Sequence, residues 1–341
     1  MFNNVYRLTG VRQIEQVTTT VDSADPESVI VRPTLMSICR ADERYYTGTR
    51  DKKVLAERLP MALIHEAVGV VVRDNTGTYA PGTHVAMVPT NPHGFDELVS
   101  DNYLKTSTFS SSTTDGFMRE YVFIKPENLV EIPEGAQGDM DAFIEVITVA
   151  IQAVRRLKES MIPRDRRIGI WGDGNVAYIT AVVAKEEFPD AEIVVLGKHS
   201  EKLDYISFAE TMLIDEVPDD YMFDQAIEAV GGMGSESAID QIIAHLNPRG
   251  AIVLSGVSED KVAINTRMVL EKGLDLVGTT RSTRSDFEHA IHLLTDNDAV
   301  QDRLGLLVQN IKPINKINDI TEAFDEDLNM SWGKTVMKWN M

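Results

Sequence analysis

The stretch Arg167-Ile168-Gly169-Ile170-Trp171-Gly172-Asp173-Gly174-Asn175-Val176-Ala177 decides the fold of this chain. An apolar run typical of a β-strand leads directly into a G-x-G-x-x-A loop, and residues 178–188 then form a second apolar run with the pattern of a helix. A strand, a glycine turn and a helix in this order begin a dinucleotide-binding unit. The sequence therefore predicts a doubly wound α/β domain that binds a dinucleotide.

The small residues of this loop each have a physical task. Gly172 permits a tight turn, Gly174 lets the backbone approach a pyrophosphate, and Ala177 allows the helix to pack closely on the strand. The helix N-terminus, at Asn175 and Val176, offers backbone N–H donors to the anion. The alternative is a glycine turn with a structural role only, which the order of strand, loop and helix disfavours.

The segment after the second strand bears on the choice of cofactor. Sites that prefer NAD usually carry Asp or Glu here to bind the ribose 2′-hydroxyl, whereas a 2′-phosphate requires donors or cations instead. In this chain Gly197 leaves space, and Lys198, His199 and Ser200 offer charge and hydrogen bonds. We therefore expect NADPH as the cofactor. The alternative is that Lys198 and His199 belong to a solvated loop.

The pattern continues outward from this motif on both sides. Six strand-like segments alternate with helical patterns, which predicts a parallel sheet. They lie at residues 167–171, 191–196, 211–214, 223–230, 251–257 and 275–279. A helical repeat of apolar residues over 145–158 precedes them and is interpreted as a bridge between two domains.

The flanking regions have a different character. Short β-branched runs at 29–38, 66–73 and 84–89 are separated by turn residues and predict a mostly β amino-terminal domain. The carboxy-terminal part contains an amphipathic stretch, a second one at 320–328 and a strand-like tail at 334–339. We therefore expect three segments: 1–148 as a catalytic domain, 149–284 as the NADP-binding domain, and 285–341 as a return to the catalytic domain.

Bulk properties exclude several classes of protein. With 341 residues, 43% of them hydrophobic, the chain is expected to form two folded domains. A net charge of −20 disfavours nucleic-acid and membrane binding. The amino terminus does not resemble a signal peptide, and nowhere do eighteen apolar residues run together, so we expect a cytoplasmic protein.

Cys39 is the only cysteine, and the pair His65-Glu66 follows it after twenty-six residues. A single thiol cannot form an internal disulfide, so it must serve as a ligand, as a nucleophile or in packing. A lone cysteine is most often a small buried hydrophobe, and a lone His-Glu pair is usually a satisfied polar pair. The neighbouring residues favour a ligand.

Over nearly its whole length the chain resembles the zinc-dependent medium-chain dehydrogenase/reductase family. The residues that carry the resemblance are Cys39 with Asp42, His65-Glu66 with Gly69, Pro81-Gly82-Thr83-His84-Val85, Gly116-Phe117 before Glu120-Tyr121, and the dinucleotide loop. The resemblance implies a GroES-like, mostly β catalytic domain beside a Rossmann domain. It also implies an enzyme of the alcohol dehydrogenase class with one catalytic zinc per chain, held by Cys39, His65 and Glu145.

The resemblance also suggests roles for neighbouring residues. Glu66 is expected to handle a proton or to serve as an alternate zinc ligand, Asp42 to orient neighbouring groups, and Tyr45 to line the site. Two departures matter: Ala41 replaces the Ser or Thr that relays a proton in many relatives, and residues 91–115 contain no cysteine. A structural zinc bound by four cysteines is therefore not expected.

Within the family, the chain is similar to the reductases that convert ribulose 5-phosphate to ribitol 5-phosphate for CDP-ribitol and for teichoic acid or capsule synthesis. The similar stretches are 36–39, 44–48, 169–175, 269–273 and 331–335. The resemblance implies a phosphosugar substrate, a homo-oligomer such as a dimer, and an association with the cytidylyltransferase of the next step. Five basic residues are candidates for binding the substrate phosphate, and each is otherwise a solvated charge: Arg40, Arg44, Arg50, Lys52 and Lys53.

Two other functions remain open at this point. One is an NADP-dependent dehydrogenase of an unphosphorylated polyol or secondary alcohol. The other is a zinc-free NADP-binding protein with a sensing or structural role, in which Cys39 and His65 only pack.

Overall fold

The structure is a computed structural model that describes residues 1–134, 138–162 and 166–341. It divides into two compact units. The first unit comprises Met1–Thr148 together with Ser282–Met341, and the second comprises Val149–Arg281. The second unit is therefore an insertion into the sequence of the first.

The strands of the described residues follow one another in chain order. They are β1 (Phe2–Gly10), β2 (Gln13–Thr20), β3 (Val29–Ser37), β4 (Met61–Ala62), β5 (Glu66–Asp74), β6 (His84–Met87), β7 (Thr90–Asn91), β8 (Thr108–Phe109), β9 (Val122–Ile124), β10 (Leu129–Glu131), β11 (Arg167–Trp171), β12 (Glu192–Gly197), β13 (Glu210–Leu213), β14 (Phe223–Glu228), β15 (Leu246–Leu254), β16 (Asp275–Gly278), β17 (Val308–Ile314) and β18 (Lys334–Trp339).

The helices are named in the same way. The α-helices are α1 (Arg40–Tyr46), α2 (Lys52–Arg58), α3 (Ile144–Ser160), α4 (Asn175–Glu187), α5 (Ser200–Leu203), α6 (Ser235–His245), α7 (Thr266–Lys272), α8 (Arg284–Asp296), α9 (Asp298–Gly305) and α10 (Ile317–Leu328). Single turns of 3₁₀ helix lie at Asp101–Tyr103, Pro126–Asn128, Asp139–Phe143, Ile214–Glu216 and Gly232–Gly234. None of the helices in the described residues is long and apolar enough to cross a membrane.

The first unit is built around a seven-stranded sheet in the order β10-β6-β5-β3-β18-β17, with β9 also paired to β3. A smaller sheet, β2-β1-β4, and the pair β7-β8 complete it. The mostly β character is thus as predicted, and runs 29–38, 66–73 and 84–89 form β3, β5 and β6. Helices α1 and α2 were not predicted, because seven residues are too few for a helical period to be recognised.

The second unit contains a six-stranded parallel sheet in the order β13-β12-β11-β14-β15-β16. This is the doubly wound arrangement, and it confirms the predicted Rossmann-type fold. The main difference is that β15 begins at Leu246, five residues before the predicted start. The intervening Asn-Pro-Arg-Gly sequence has the composition of a turn, although the structure includes it in the strand.

The carboxy-terminal segment completes the first unit. The amphipathic stretches form α8 and α10, and residues 334–339 form β18 as predicted. Strand β18 lies between β3 and β17, antiparallel to β3 and parallel to β17. Three neighbouring strands, β5, β3 and β18, therefore bring Glu66, Ser37 and Lys334 close together, although they are far apart in sequence.

Candidate active site

Cys39 lies between β3 and α1, where it is the residue that precedes the first helical turn. The carboxylate of Asp42, in that turn, accepts a hydrogen bond from the backbone N–H of Cys39 at 3.3 Å and from that of Ile64 at 3.0 Å. Ser111 donates to the same carboxylate through its hydroxyl at 2.6 Å. Asp42 therefore ties the Cys39 turn to the segment that carries His65.

The segment before His65 is held in an uncommon backbone conformation. Ile64 is buried and has a φ of 71°, which is rare for a β-branched residue. Its N–H donates to Asp42 and its carbonyl accepts from the backbone N–H of Phe117 at 2.7 Å. A Cβ at Gly116 would lie 2.3 Å from the Leu63 carbonyl oxygen, so only glycine permits this close approach. The surrounding structure thus imposes the strain at Ile64.

Among residues 1–134, 138–162 and 166–341, potential metal ligands converge in two clusters that share His65. The first contains Cys39, Asp42 and His65, and the second contains His65, Glu66 and Glu145, with ligand atoms within 4.8 Å of one another in each. The predicted ligand trio of Cys39, His65 and Glu145 is therefore divided between the clusters. A metal bound by all three requires Cys39 and Glu145 to approach each other around His65.

The chemistry of these donors fits a divalent zinc ion. A thiol, an imidazole and a carboxylate are zinc ligands, and three of them leave an open position. The Nδ1 atom of His65 is buried and has no hydrogen-bond partner among the described residues, and its distance to Asp42 Oδ2 is 3.6 Å. Burial raises the pKa of Glu145 to about 7, because His65 only partly offsets the cost of a charge there. A bound cation would stabilise that carboxylate.

The pKa of Asp42 is shifted downward, whereas that of Glu145 is raised. Burial raises the pKa of Asp42, but the nearby charge of His65 and the hydrogen bonds from Ser111 and the Ile64 N–H outweigh burial, so the net shift is downward. Asp42 is therefore an ionised carboxylate next to His65. This suits a group that orients the imidazole from behind.

Glu66 lies in the second cluster and is already engaged with other residues. Lys334 Nζ lies 3.0 Å from Glu66 Oε1 and 2.9 Å from Oε2, and the Ser37 hydroxyl also donates to Oε2. The side chains of Lys334 and Glu66 are 7% and 0% exposed. The carbonyl oxygen of Ala142 lies 3.0 Å from the same Ser37 hydroxyl oxygen. Glu66 is thus the acidic half of a buried ion pair.

Tyr45 is buried in α1, and its hydroxyl has no hydrogen-bond partner in the part of the chain that the structure describes. The guanidinium carbon of Arg50 lies 5.0 Å from the centre of the Tyr45 ring, within the range of a cation–π contact. A buried, unsatisfied hydroxyl is costly and is available to hydrogen-bond a bound molecule.

The five basic residues proposed for the substrate phosphate differ in environment. Arg40 is largely exposed and pairs with Glu43 at 2.6 Å. Lys52 and Lys53 are exposed on the first turn of α2, whereas Arg44 and Arg50 are half-buried. Only the two half-buried arginines lie in the partly desolvated environment in which a charge-assisted hydrogen bond is strong.

The dinucleotide loop has the geometry that its sequence predicts. Gly172 has a φ of +137°, and a Cβ there would lie 2.9 Å from the Ala229 carbonyl oxygen. Ala177 is fully buried in the first turn of α4. Gly174, by contrast, precedes α4 in open space, with nothing within 4 Å of an added Cβ. The fold requires Gly172, whereas the protein's own packing does not require Gly174 to be small.

The end of β12 differs from the expectation drawn from sequence. The predicted space at Gly197 is occupied by the side chain of Asp173, which comes from the loop after β11. Its Oδ2 atom accepts hydrogen bonds from the backbone N–H groups of Lys198 and His199 at 2.7 and 2.9 Å. Ser200 begins α5. An acid is therefore present at this position, although residues 197–200 contain none.

Three functional neighbours were not found from the sequence. Lys334 and Ser37 reach Glu66 only through strand pairing, so no local pattern links either of them to Glu66. Asp173 lies inside the predicted loop, but a carboxylate in that motif has no assigned task. A lysine at the start of an apolar carboxy-terminal strand was the one available signal, since buried lysines require a partner.

Comparisons with known proteins identify the family of this chain. Residues 25–134 match the family described as "Alcohol dehydrogenase GroES-like domain", and residues 189–296 match "Zinc-binding dehydrogenase". The chain is 46% identical to the ribulose-5-phosphate reductase of Bacillus spizizenii and to ribulose-5-phosphate reductase 1 of Staphylococcus aureus, each alignment covering 100% of both chains.

A solved structure supports the same relationship. The crystal structure of S. aureus TarJ in complex with NADPH has a TM-score of 0.89 and 43% identity, with 100% of both chains covered. Two domain matches and full-length relatives at this level of identity are sufficient to define the family. The chain belongs to the zinc-dependent medium-chain dehydrogenase/reductase family.

Proposed function

We propose that this protein is an NADPH-dependent, zinc-dependent reductase that converts the ketone of D-ribulose 5-phosphate to the alcohol of D-ribitol 5-phosphate. The observation that carries the proposal is the 46% identity, over the full length of both chains, to proteins named ribulose-5-phosphate reductase. The assembled donors around His65 and the dinucleotide loop supply what such a reaction needs.

The residues around His65 would hold the metal. Cys39, His65 and Glu145 are the proposed ligands, and Asp42 orients His65 and the Cys39 turn. When bound, zinc supplies a Lewis acid for the substrate carbonyl, and NADPH supplies the hydride. Gly174 and the start of α4 bind the pyrophosphate, since the backbone N–H groups of Asn175 and Val176 lie at the positive end of the helix.

Glu66 and Lys334 provide fixed charge beside the ligands. Because both Glu66 oxygens contact Lys334, Glu66 would have to accept a proton or bind zinc through lone pairs that remain beside a buried ion pair. The pairing favours a role in which Glu66 holds negative charge beside His65, with the proton supplied by water. Ala41 offers no hydroxyl for a relay.

The substrate phosphate is proposed to bind Arg44 and Arg50, with Tyr45 donating its unpaired hydroxyl to the sugar. The first test compares kcat/KM for ribulose 5-phosphate and for ribulose, with NADPH and then with NADH. We expect a preference of at least a hundredfold for the phosphorylated ketose and for NADPH. Equal efficiency on ribulose would instead support a dehydrogenase of unphosphorylated polyols.

The zinc site is tested by metal content. We expect one zinc per chain in the purified protein, and its loss, together with activity, in Cys39→Ser and His65→Asn. His93→Asn, which changes an exposed imidazole bonded to Thr108, is the matched control and should retain both. An active protein without zinc would support the zinc-free alternative, and two zinc ions per chain would contradict the single-site proposal.

The remaining partners are also proposals. The family resemblance suggests a homo-oligomer, for which a dimer is the simplest state, and an association with the cytidylyltransferase that would use ribitol 5-phosphate to make CDP-ribitol for teichoic acid or capsule synthesis. Light scattering of the purified protein tests the first. Co-purification of the two enzymes expressed together tests the second.

A further inference from the structure

The carboxylate of Asp173 connects two parts of the cofactor-binding edge. Besides its bonds to the Lys198 and His199 backbone, its Oδ2 atom lies 2.8 Å from Nδ1 of the His199 ring. An ideal Cβ at Gly197 would lie 2.6 Å from the Asp173 Cβ and 3.0 Å from Oδ2. Glycine at this position therefore makes room for Asp173, and any larger residue would displace it.

This arrangement limits how an anion can bind at the end of β12. The backbone N–H groups of Lys198 and His199 already donate to Asp173, so they are not free to bind a phosphate. Recognition must come from side chains. The Asp173 charge is compensated by these donors, and hydrogen bonds from His199 and the two backbone groups lower the pKa of Asp173 despite its burial.

The same contact fixes the His199 ring. Because Nδ1 faces Asp173, the second nitrogen, Nε2, lies on the opposite side of the imidazole, and the side chain is 51% exposed. A ring that donates from Nδ1 to a carboxylate becomes a donor at Nε2 as well when it carries two protons. It then matches the charge and the hydrogen-bonding needs of a phosphate dianion.

We propose that Asp173 is a positioning residue for cofactor specificity: it orients His199 so that Nε2 donates to the 2′-phosphate of NADPH. The inference rests on the proposed use of NADPH. The role of this acid differs from that of the acid in NAD sites, where the carboxylate itself accepts a hydrogen bond from the ribose 2′-hydroxyl. Here the acid acts through the imidazole.

The test uses calorimetric binding of two probes, adenosine 2′,5′-bisphosphate and 5′-AMP, to the full-length protein. Without the 2′-phosphate, 5′-AMP reports on the rest of the adenosine site. We expect His199→Ala to weaken the bisphosphate about tenfold and 5′-AMP less than twofold, as for loss of one hydrogen bond to a charged group. Asp173→Asn should weaken the bisphosphate about threefold to tenfold, and the double variant no more than His199→Ala alone.

Several outcomes would overturn the inference. An equal loss for both probes in Asp173→Asn means that Asp173 only anchors the loop, and tighter binding of the bisphosphate means that its charge only repels phosphate. A double variant with additive losses means that Asp173 does not act through His199. Asp204→Asn, which removes an exposed charge at the end of α5, is the control and should bind both probes as the unchanged protein does.

A second variant keeps the test valid if Asp173→Asn is unstable. His199→Gln retains an amide donor but cannot be oriented through Nδ1, and we expect at least a threefold loss for the bisphosphate. Unchanged affinity would refute the inference. If the unchanged protein binds both probes equally, NADPH preference itself fails and the inference with it, whereas reduction of ribulose 5-phosphate is measured independently.

Discussion

Replacement of Lys334 by methionine is expected to destabilise the first unit by about 3–5 kcal/mol, because it removes the charge partner of a fully buried carboxylate. Lys334 Nζ lies 2.9 Å from Glu66, and the two side chains are 7% and 0% exposed. Methionine preserves most of the apolar length of the lysine side chain, so the loss of packing is small. The main cost is the desolvated charge left on Glu66.

A double variant separates the cost of the unpaired Glu66 charge from the cost of losing the packing of the Lys334 side chain. When Glu66→Gln accompanies Lys334→Met, neither a buried charge nor an unpaired carboxylate remains, and the Ser37 hydroxyl can still donate to the amide oxygen. Replacing both partners of a buried pair is often close to neutral. We therefore expect the double variant to recover at least about 2 kcal/mol relative to Lys334→Met alone.

The assay is urea unfolding of the metal-free protein followed by tryptophan fluorescence. Trp332 and Trp339 are largely buried in the first unit and report on its unfolding, whereas Trp171 reports on the second unit. Lys125→Met is the matched control. It removes a lysine 3.8 Å from Glu127 with both side chains more than half exposed, and it should cost less than about 1 kcal/mol.

Two results would refute the reasoning. One is a loss below about 1 kcal/mol in Lys334→Met, which would place this pair with ordinary surface ion pairs. The other is a double variant no more stable than Lys334→Met, which would show that the lost packing of the lysine side chain, and not the uncompensated Glu66 charge, accounts for the effect.

Three further predictions follow from the same structure. Gly172→Ala should lower the free energy of unfolding by about 2 kcal/mol or more, because Gly172 has a φ of +137° and an added Cβ would contact Ala229. Gly174→Ala should be as stable as the unchanged protein but bind NADPH at least tenfold more weakly. Equal stability of the two variants in urea would contradict this prediction. Arg50→Ala should raise KM for ribulose 5-phosphate about tenfold without changing that for ribulose, and the exposed Lys53→Ala should change neither; a similar KM for the phosphorylated substrate in both variants would exclude Arg50 as the phosphate ligand. Burial raises the pKa of Asp141 to about 6, so the folded state binds this proton more tightly than the unfolded state and stability is lost as pH rises between about 4 and 6. The stability of Asp141→Asn relative to the unchanged protein should therefore increase by up to about 3 kcal/mol from pH 4 to pH 7. A constant difference in urea midpoints across that range would argue against this prediction.

The dinucleotide-binding fold could be predicted because its signals are local. The strand at 167–171, the glycine loop and the following helix form one continuous pattern, and the structure places β11 and α4 there. Alternating strands and helices then determine the parallel sheet. Boundaries were less accurate where turn residues occur inside a strand, as at the start of β15.

The site around His65 could be predicted only in part, because its members come from separate segments. The sequence indicated Cys39, His65 and Glu145 through a family resemblance, but their distances depend on how strands and turns are held. The strained Ile64, the Gly116 contact and the Asp42 bonds all depend on tertiary structure. The partner of Glu66 could not be inferred, since Lys334 is 268 residues away in sequence.

The carboxylate of Asp173 at the end of β12 illustrates a second reason why the site could not be fully predicted from the sequence. Residues 197–200, at the end of the strand and directly after it, contain no carboxylate. Asp173 reaches the same position from the neighbouring loop, because β11 and β12 are adjacent and Trp171 lies opposite Leu196. The position of a functional group in space and its position in sequence are different properties, and only the fold relates them.

The position of β18 between β3 and β17 has a consequence for how the protein folds during synthesis. Strand β3 pairs with β18 at Ser37 and Val336, about 300 residues later in the chain. During synthesis the inserted unit, Val149–Arg281, is complete while β3 still lacks this neighbour and Glu66 still lacks its lysine. The second unit can therefore fold while the chain is still being synthesised. The first unit can complete its sheet and pair the buried charge of Glu66 only after the last strand, β18, has been made.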